Sequence, residues 1–323
     1  MKTCVIFHNQ DLDGWMSAAI VKHWYEQKHK GNTLHYGNVI VDQNEGSHSL
    51  TIVGYNYGQP IPDLSEYDKV IMCDISFSIE EMEKLRQNFQ DKFIWIDHHI
   101  SEIKATEERT NSFYEGLRDT KFAACELTWK YFFPNEEIPE IVRLLGRYDC
   151  FGHKGTTEEK KVLEFQYGAR QCISNYEEAY NYLKQEILHN SPIENCEREE
   201  NPIYKIWSNG KAIYKYLRTE AKQIYKNGFE IYLEPEYVPR RRKFICINKE
   251  RFNPINFGID YHKEGYDGAA CFYYDNGVWN FSIYNDNGLV DCSAIARQYG
   301  GGGHKGASGF QLSNEDFLKL INQ

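Results

Sequence analysis

Three short apolar runs in the first hundred residues each stop on a group that an apolar interior cannot hold. "TCVIFH" (3–8) runs into "NQDLDG", "KVIMCDIS" (69–76) ends around Asp74, and "KFIWIDHH" (92–99) finishes on one acid and two imidazoles. Runs of this kind suit strands covered on both faces, and a further strand is expected at 49–58. Between and after them lies helical spacing, at 13–29, 78–89, 121–133, 138–147 and 176–189, with Ser78 and Glu81 reading as a capping box. Strands alternating with helices predict an α/β fold, a doubly wound and mostly parallel sheet. In such a sheet the carboxyl ends of the strands share one rim, and ligands bind there.

A chain of 323 residues is too long for one ordinary core. The polar, proline-bracketed stretch 190–202, "NSPIENCEREENP", reads as a boundary, and a long helix follows over 203–226 with Gly210 as its weak point. The pattern then changes to short strands, "FEIYLE", "KFICIN", "AACFYY" and "VWNFSIY", with "DNG" (275–277) as a hairpin signal. The expected organisation is a catalytic domain over 1–190, a linker and connecting helix over 191–226, and a smaller α/β domain over 227–323. A short helix, "CSAIARQY", leads into "GGGGHKGASGF" (300–310), where four consecutive glycines are costly to order and a histidine follows at once.

Composition narrows the partners. Hydrophobic residues at 41% and charged residues at 26% describe a soluble globular chain, and no apolar run approaches the roughly 18 residues of a membrane span. The N-terminus reads as a buried strand and not a signal peptide, so a cytoplasmic location without a membrane partner is expected. A formal net charge of −10 argues against long duplex DNA, but not against a small phosphate-bearing ligand whose charge a metal pair offsets. Nine cysteines without a CxxC pair read as reduced core thiols, not as a zinc site.

The polar groups on the expected rim are His8, Asp11, Asp13, Asp74, Asp97, His98 and His99, joined by Asp149 after the helix 138–147. Each has a bland reading alone: "DLDG" is a common helix N-cap, Asp74 could cap the next helix, and a lone histidine is usually a satisfied core or surface group. Their coincidence on one rim argues for a two-metal site. Carboxylates mixed with imidazoles suit Mn²⁺, with Mg²⁺ or Co²⁺ as alternatives, better than a thiol-based zinc site.

With these residues in place the chain resembles the DHH phosphoesterases that carry a DHH-associated C-terminal domain, the superfamily of nanoRNases and RecJ. "HNQDLDG", "IMCDIS", "WIDHHI" and "GRYDCF" resemble its four N-terminal motifs in order, and "GGGGHKGASGF" resembles the C-terminal signature. The resemblance implies one ion held by His8, Asp11 and Asp74 and a second by Asp13, Asp74, His98 and Asp149. It implies His99 and Asp97 as catalytic residues, His99 facing the scissile phosphate and Asp97 orienting the neighbouring imidazoles. Gly301, Gly302, Gly303, His304 and Tyr284 would bind substrate, and the cleft between the domains would be the active site.

The implied activity is a metal-dependent, in-line hydrolysis of phosphodiester bonds by activated water. Its implied substrates are short single-stranded oligonucleotides or related nucleotides, and a homodimer is an admissible assembly. Pyrophosphate or polyphosphate hydrolysis, cyclic-dinucleotide hydrolysis and non-catalytic nucleotide binding are the alternatives. Two departures stand out. The first motif is spaced His-x-x-Asp-x-Asp, one residue shorter than in some relatives, which bears on His8. Many members carry Ser-x-Arg-Ser where this chain has "SIYN" (282–285), so Tyr284 brings no charge and "RRRK" (240–243) is the alternative source of one.

Overall fold

β1 (Lys2–His8) is buried from Thr3 to Phe7, and a strand so covered belongs inside a sheet. The computed structural model, which describes residues 1–29, 32–43, 48–110, 112–189, 201–234 and 241–322, places it there. β1 is flanked by β4 (Ser49–Tyr55) and β5 (Lys69–Cys73), and β6 (Phe93–Ile96) lies beyond β5, all four parallel. β2 (Thr33–Tyr36) and β3 (Val39–Asp42) extend the β4 edge antiparallel, giving the order β2-β3-β4-β1-β5-β6. The sheet is thus mostly parallel, with a hairpin added that the sequence did not signal: short and mostly exposed, β2 has no apolar run to mark it.

Helices cover both faces. Alternate residues of β1, Val5 and Phe7, pack with Ala18, Val21 and Tyr25 of α1 (Leu12–Lys28) and Leu127 of α4 (Ala124–Phe132). Cys4 and Ile6 face the other way, towards Met82 and Leu85 of α2 (Ile79–Phe89) and Ile103 of α3 (Ile100–Thr110). Ser78 caps α2, its side chain accepting from Glu81 N, while the Glu81 carboxylate pairs with Lys84, so one half of the expected capping box is formed. Behind α1 and α4 lie α5 (Glu140–Asp149), α6 (Glu159–Cys172), α7 (Tyr176–His189) and the start of α8 (Pro202–Tyr225), joined through Met16, Trp129, Leu145, Phe165, Leu183 and Ile206. Glu186 of α7 caps α5 by accepting from Glu140 N and Ile141 N at 2.6 and 3.0 Å, which fixes the helix that ends on Asp149.

Gly210 is not a weak point of α8. A Cβ there would lie 1.7 Å from Glu164 O, and one on Gly168 would lie 1.9 Å from Ile206 O, so the two glycines let α6 and α8 cross backbone to backbone. α3 and α6 also lay outside the sequence reading. The expected boundary at 190–202 falls, up to residue 200, outside the described residues.

The chain divides into two compact units, Met1–Ile213 and Tyr214–Gln323. The second holds a sheet of order β11-β12-β10-β9-β8-β7, built from β7 (Phe229–Leu233), β8 (Arg242–Asn248), β9 (Gly268–Asp275), β10 (Val278–Tyr284), β11 (Gly302–His304) and β12 (Ala307–Leu312). Only β8 and β9 run parallel. The β9–β10 hairpin turns at Asn276 and Gly277, both at positive φ, as "DNG" predicts. One face packs on α9 (Cys292–Gln298) and α10 (Asn314–Ile321) through Phe281, Ile283, Phe310, Ile295 and Phe317.

Candidate metal centre

Register builds the site. Phe7 pairs with Cys73 and Cys73 with Ile96, so the residues one step further, His8, Asp74 and Asp97, leave the sheet side by side at its carboxyl edge. Asp11 and Asp13 return to the same place because α1 starts directly against the end of β1. Asp11 is its N-cap, accepting from Gly14 N at 3.1 Å, and a Cβ on Gly14 would lie 1.9 Å from His8 O. The glycine of "DLDG" is therefore required by the fold, because only a bare backbone lets the helix start this close.

Three overlapping groups of ligand atoms result: His8 with Asp11 and Asp74, Asp13 with His98 and Asp149, and Asp74 with His98 and His99. His8 Nδ1 lies 3.0 Å from Asp11 Oδ2 and 3.5 Å from Asp74 Oδ2, so the short spacing of the first motif does not remove His8 from the cluster. His98 Nε2 lies 3.6 Å from Asp13 Oδ2, 3.5 Å from Asp74 Oδ1 and 3.2 Å from Asp149 Oδ2. Asp149 is the last residue of α5 rather than a residue beyond it.

Asp74 is the costliest residue here. It is 1% exposed, its backbone is left-handed at φ 60°, and its Oδ1 is buried without a hydrogen bond among the described residues. His8 Nδ1 is likewise buried without one. Buried polar atoms are rarely left unpaired, and strained backbone persists where the surroundings enforce it. A divalent cation would satisfy both atoms. The donors are carboxylate and imidazole, and the adjacent Cys73 thiol, pushed up to about 12 by burial, offers no thiolate. The residues fit hard or borderline divalent ions.

Charge crowding points the same way. Burial and the neighbouring Asp74 carboxylate push Asp13 up to about 7, and burial together with Asp13 does the same to Asp149. Burial pulls the imidazoles down, but the surrounding carboxylates outweigh it, holding His8 at about 10, His98 at about 11 and His99 at about 9. Without a cation the cluster retains protons as substitute positive charge.

Asp97 acts differently, as an anchor for the turn after β6. It is fully buried, and its Oδ1 accepts from His98 N, His99 N and His99 Nδ1 at 2.7, 3.1 and 2.8 Å, while Trp95 Nε1 donates to Oδ2 at 3.2 Å. Its carboxylate shapes the turn and orients the His99 imidazole. Burial pushes it up, yet the His99 hydrogen bond brings it below its ordinary value. Asp13 also has a second attachment: its oxygens accept from Ala124 N at 2.9 Å and Cys125 N at 2.7 Å, at the start of α4.

Sequence reasoning missed Trp95, those two amides, and Arg170. The Arg170 guanidinium lies 5.3 Å from the Tyr148 ring centre and 5.6 Å from that of Tyr167, close enough to Asp149 to feel its charge. Main-chain amides leave no mark in a sequence, and an arginine twenty-one positions after Asp149 carries no local signal.

In the second unit the glycine run is partly an edge strand. Gly300 N and Gly301 N donate to Arg297 O and Ala296 O at the end of α9, so the Gly301 amide is already committed. A Cβ on Gly301 would lie 2.1 Å from Gly309 O, whereas one on Gly302 would meet nothing within 4 Å. Gly303 sits at φ +136°, and His304 is half-buried. Tyr284 and His304 both pair with Ala307, from opposite sides, and so share a row of the sheet. Arg241, Arg242 and Lys243 of the basic run face Glu234, Asp267 and Glu230 at 2.8, 3.5 and 2.6 Å, which makes them a neutralised strand start; residue 240 lies outside the described residues.

Residues 2–145 match the model of the DHH family, N-terminal domain. The uncharacterized protein R106 of Acanthamoeba polyphaga mimivirus is 24% identical over 331 aligned positions, covering 96% of this chain and 67% of that protein. Among solved structures, the pGpG-specific phosphodiesterase PggH of Vibrio cholerae aligns over 100% of this chain and 97% of its own at 14% identity, TM-score 0.48. The exonuclease RecJ bound to manganese aligns over 99% and 88% at 12% identity, TM-score 0.49. At these scores the structural likenesses carry no argument about substrate. Among the described residues no helix is long and apolar enough to cross a membrane.

Proposed function

We propose that this chain, whose residues 2–145 match the model of the DHH family N-terminal domain, is a metal-dependent phosphodiesterase acting on short oligonucleotides or related nucleotides. The observation that carries the reading is the buried Asp74 Oδ1, without a hydrogen bond among the described residues and held on strained backbone between two sets of ligand atoms. His8, Asp11 and Asp74 would hold one divalent ion, and Asp13, Asp74, His98 and Asp149 the other, with Mn²⁺ the first candidate. When bound, such a pair supplies Lewis acidity towards phosphoryl oxygens and a water made nucleophilic near neutral pH.

The chain's own residues supply the rest. His99, oriented through its Nδ1 2.8 Å from Asp97 Oδ1, would serve as a hydrogen-bond donor to the substrate. It donates to the phosphoryl oxygen on which charge develops. In the second unit Gly302, which leaves open space where a side chain would stand, and Gly303 let backbone approach a substrate phosphate, and His304 adds a donor. Gly301 contributes by what it lacks, since its amide is taken. Tyr284 takes part through its ring and hydroxyl.

The test is hydrolysis. Purified protein with Mn²⁺, Mg²⁺ or Co²⁺ is incubated with a 5′-labelled dinucleotide, a longer single strand, a cyclic dinucleotide and pyrophosphate. Mononucleotide release from the dinucleotide, abolished in His98→Ala, is the expected result. Turnover of pyrophosphate alone would replace the phosphodiesterase reading by a pyrophosphatase, and turnover of none would end it.

A further inference from the structure

The second unit contains a cavity of about 630 Å³ that the metal chemistry does not use. It lies on the open face of the second sheet, opposite α9 and α10. Strand alternation defines that face: Phe281, Ile283, Phe310 and Leu312 point into the core, so Asn280, Ser282, Gly309 and Gln311 point away from it. The register arranges the open face in rows. Tyr284 and His304 lie in the first, on either side of Ala307; Ser282, Gly309 and Gly302 form the second; Tyr273, Asn280 and Gln311 form the third. Successive rows are two residues apart, so the third lies about 13 Å from the first. That distance suits one nucleotide laid along the strands.

Each row has its own chemistry. The middle one offers only a hydroxyl and bare backbone, a floor on which a flat group can lie. In the third row Gln311 Nε2 donates to Asn280 Oδ1 at 2.9 Å. Neither side chain has another hydrogen bond among the described residues, so the Asn280 Nδ2 amide group and the Gln311 Oε1 carbonyl remain wholly unused, a donor and an acceptor on one bonded pair. A neighbouring donor and acceptor match the hydrogen-bonding edge of a nucleobase. Tyr273 adds aromatic surface on this face, while Tyr299, stacked 4.5 Å from the core-facing Phe310 ring, borders the cavity from the end of α9. Arg251 lines the same cavity as its cation, its backbone left-handed at φ 47° and its side chain 71% exposed.

We propose that this cavity is a nucleobase site: it holds the base of a nucleotide whose phosphate lies in the Tyr284–His304 row, with the Asn280–Gln311 pair reading the base edge and Tyr273 stacking on its face. The direction of the nucleotide rests on the phosphodiesterase reading; the cavity's preference for a base does not. The site would give the enzyme selectivity for nucleotides over other phosphodiesters, and it makes bare pyrophosphate a poor ligand of the second unit.

The experiment separates the two readings by removing the metal. Full-length protein in EDTA is titrated calorimetrically with the four nucleoside 5′-monophosphates, ribose 5-phosphate and pyrophosphate. At least one nucleotide is expected to bind about tenfold or more tightly than ribose 5-phosphate, from base stacking and edge contacts. Tyr273→Ala and the double variant Asn280→Ala/Gln311→Ala should each lose about tenfold in nucleotide affinity and leave ribose 5-phosphate unchanged. Tyr273→Phe, which keeps the ring, should retain affinity. Equal binding of ribose 5-phosphate and nucleotides, no nucleotide binding, or unaltered affinity in the variants overturns the site. Nucleotide binding of the expected pattern in a protein that hydrolyses nothing would leave this site standing and end the phosphodiesterase reading instead.

Discussion

Replacing Asp74 by Asn removes one charge and almost no volume, and asparagine tolerates the left-handed backbone found at φ 60°. The substitution therefore interrogates the ligand role more than the fold. Asp74 belongs to two of the three ligand groups, and its buried Oδ1 has no hydrogen bond among the described residues. An ion present at a hundred times its dissociation constant stabilises by about 2.7 kcal/mol, so two ions give about 5 kcal/mol. Within a unit the size of Met1–Ile213 that raises the melting temperature by about 10–20 °C. In Asp74→Asn one ion is lost and the other is weakened about tenfold, leaving about 1.4 kcal/mol and a rise of about 3–6 °C. The assay is scanning calorimetry with EDTA or with Mn²⁺, Mg²⁺ or Co²⁺. In EDTA the variant should melt cooperatively within about 3 °C of the parent, because the attraction it loses to His8 and His98 is offset by relief of the repulsion with Asp13. An undiminished metal-dependent rise in Asp74→Asn, or no rise in the parent with any of the three ions, would refute the reasoning.

Two further outcomes follow from the same geometry. With Asp13 and Asp149 raised to about 7 and His98 and His99 to about 11 and 9, the metal-free fold binds more protons than the unfolded chain. Stability from the two acids is complete below pH about 4 and lost as pH rises through 7; that from the imidazoles is complete below about 6.5 and lost through 9–11. The EDTA-treated protein should therefore melt lower at pH 8 than at pH 5. Because bound ions must displace those protons, the metal-dependent rise should grow over the same interval; a rise independent of pH would contradict it. Gly14→Ala should cost about 3 kcal/mol and abolish the metal-dependent rise, since its Cβ meets His8 O at 1.9 Å; a normal melting curve would mean that α1 does not need its close start.

What the sequence disclosed was what local physics controls. Apolar runs marked β1, β5 and β6 because strands covered on both faces must be apolar throughout, and the polar groups that end them marked the rim. β2, with its Thr33–Tyr36 mostly exposed, had no such constraint to reveal it. Gly210 misled because helix propensity is a local quantity, whereas the reason for this glycine is the backbone of Gly168 some forty positions earlier. The ligand types could be read from their spacing around strand ends. The hydrogen bonds that hold them, from Trp95 to Asp97 and from the amides of Ala124 and Cys125 to Asp13, depend on tertiary contacts without a side-chain signature.

Asp13 and Asp149 face the same imidazole and are raised to the same extent, yet the fold uses them differently. Asp13, 3% exposed, gives both oxygens to amides at the start of α4, where the helix dipole favours negative charge. Asp149 has a side chain 35% exposed and contributes to the cluster from the end of its own helix, its Oδ2 turned to His98. Removing Asp13 leaves two buried donors unpaired, and Asp13→Ala should cost about 2–4 kcal/mol even in EDTA. Removing Asp149 relieves a like charge on Asp13 and gives up the His98 contact at 3.2 Å, opposing effects, so Asp149→Ala in EDTA should melt close to the parent. With metal present, both variants should lose about half of the temperature rise, because each residue ligates only one of the two ions. Equal destabilisation of the two in EDTA would mean that the α4 amides do not need Asp13. The site would then be an aggregate of ligands set on a finished fold, and not one whose carboxylates also hold that fold together.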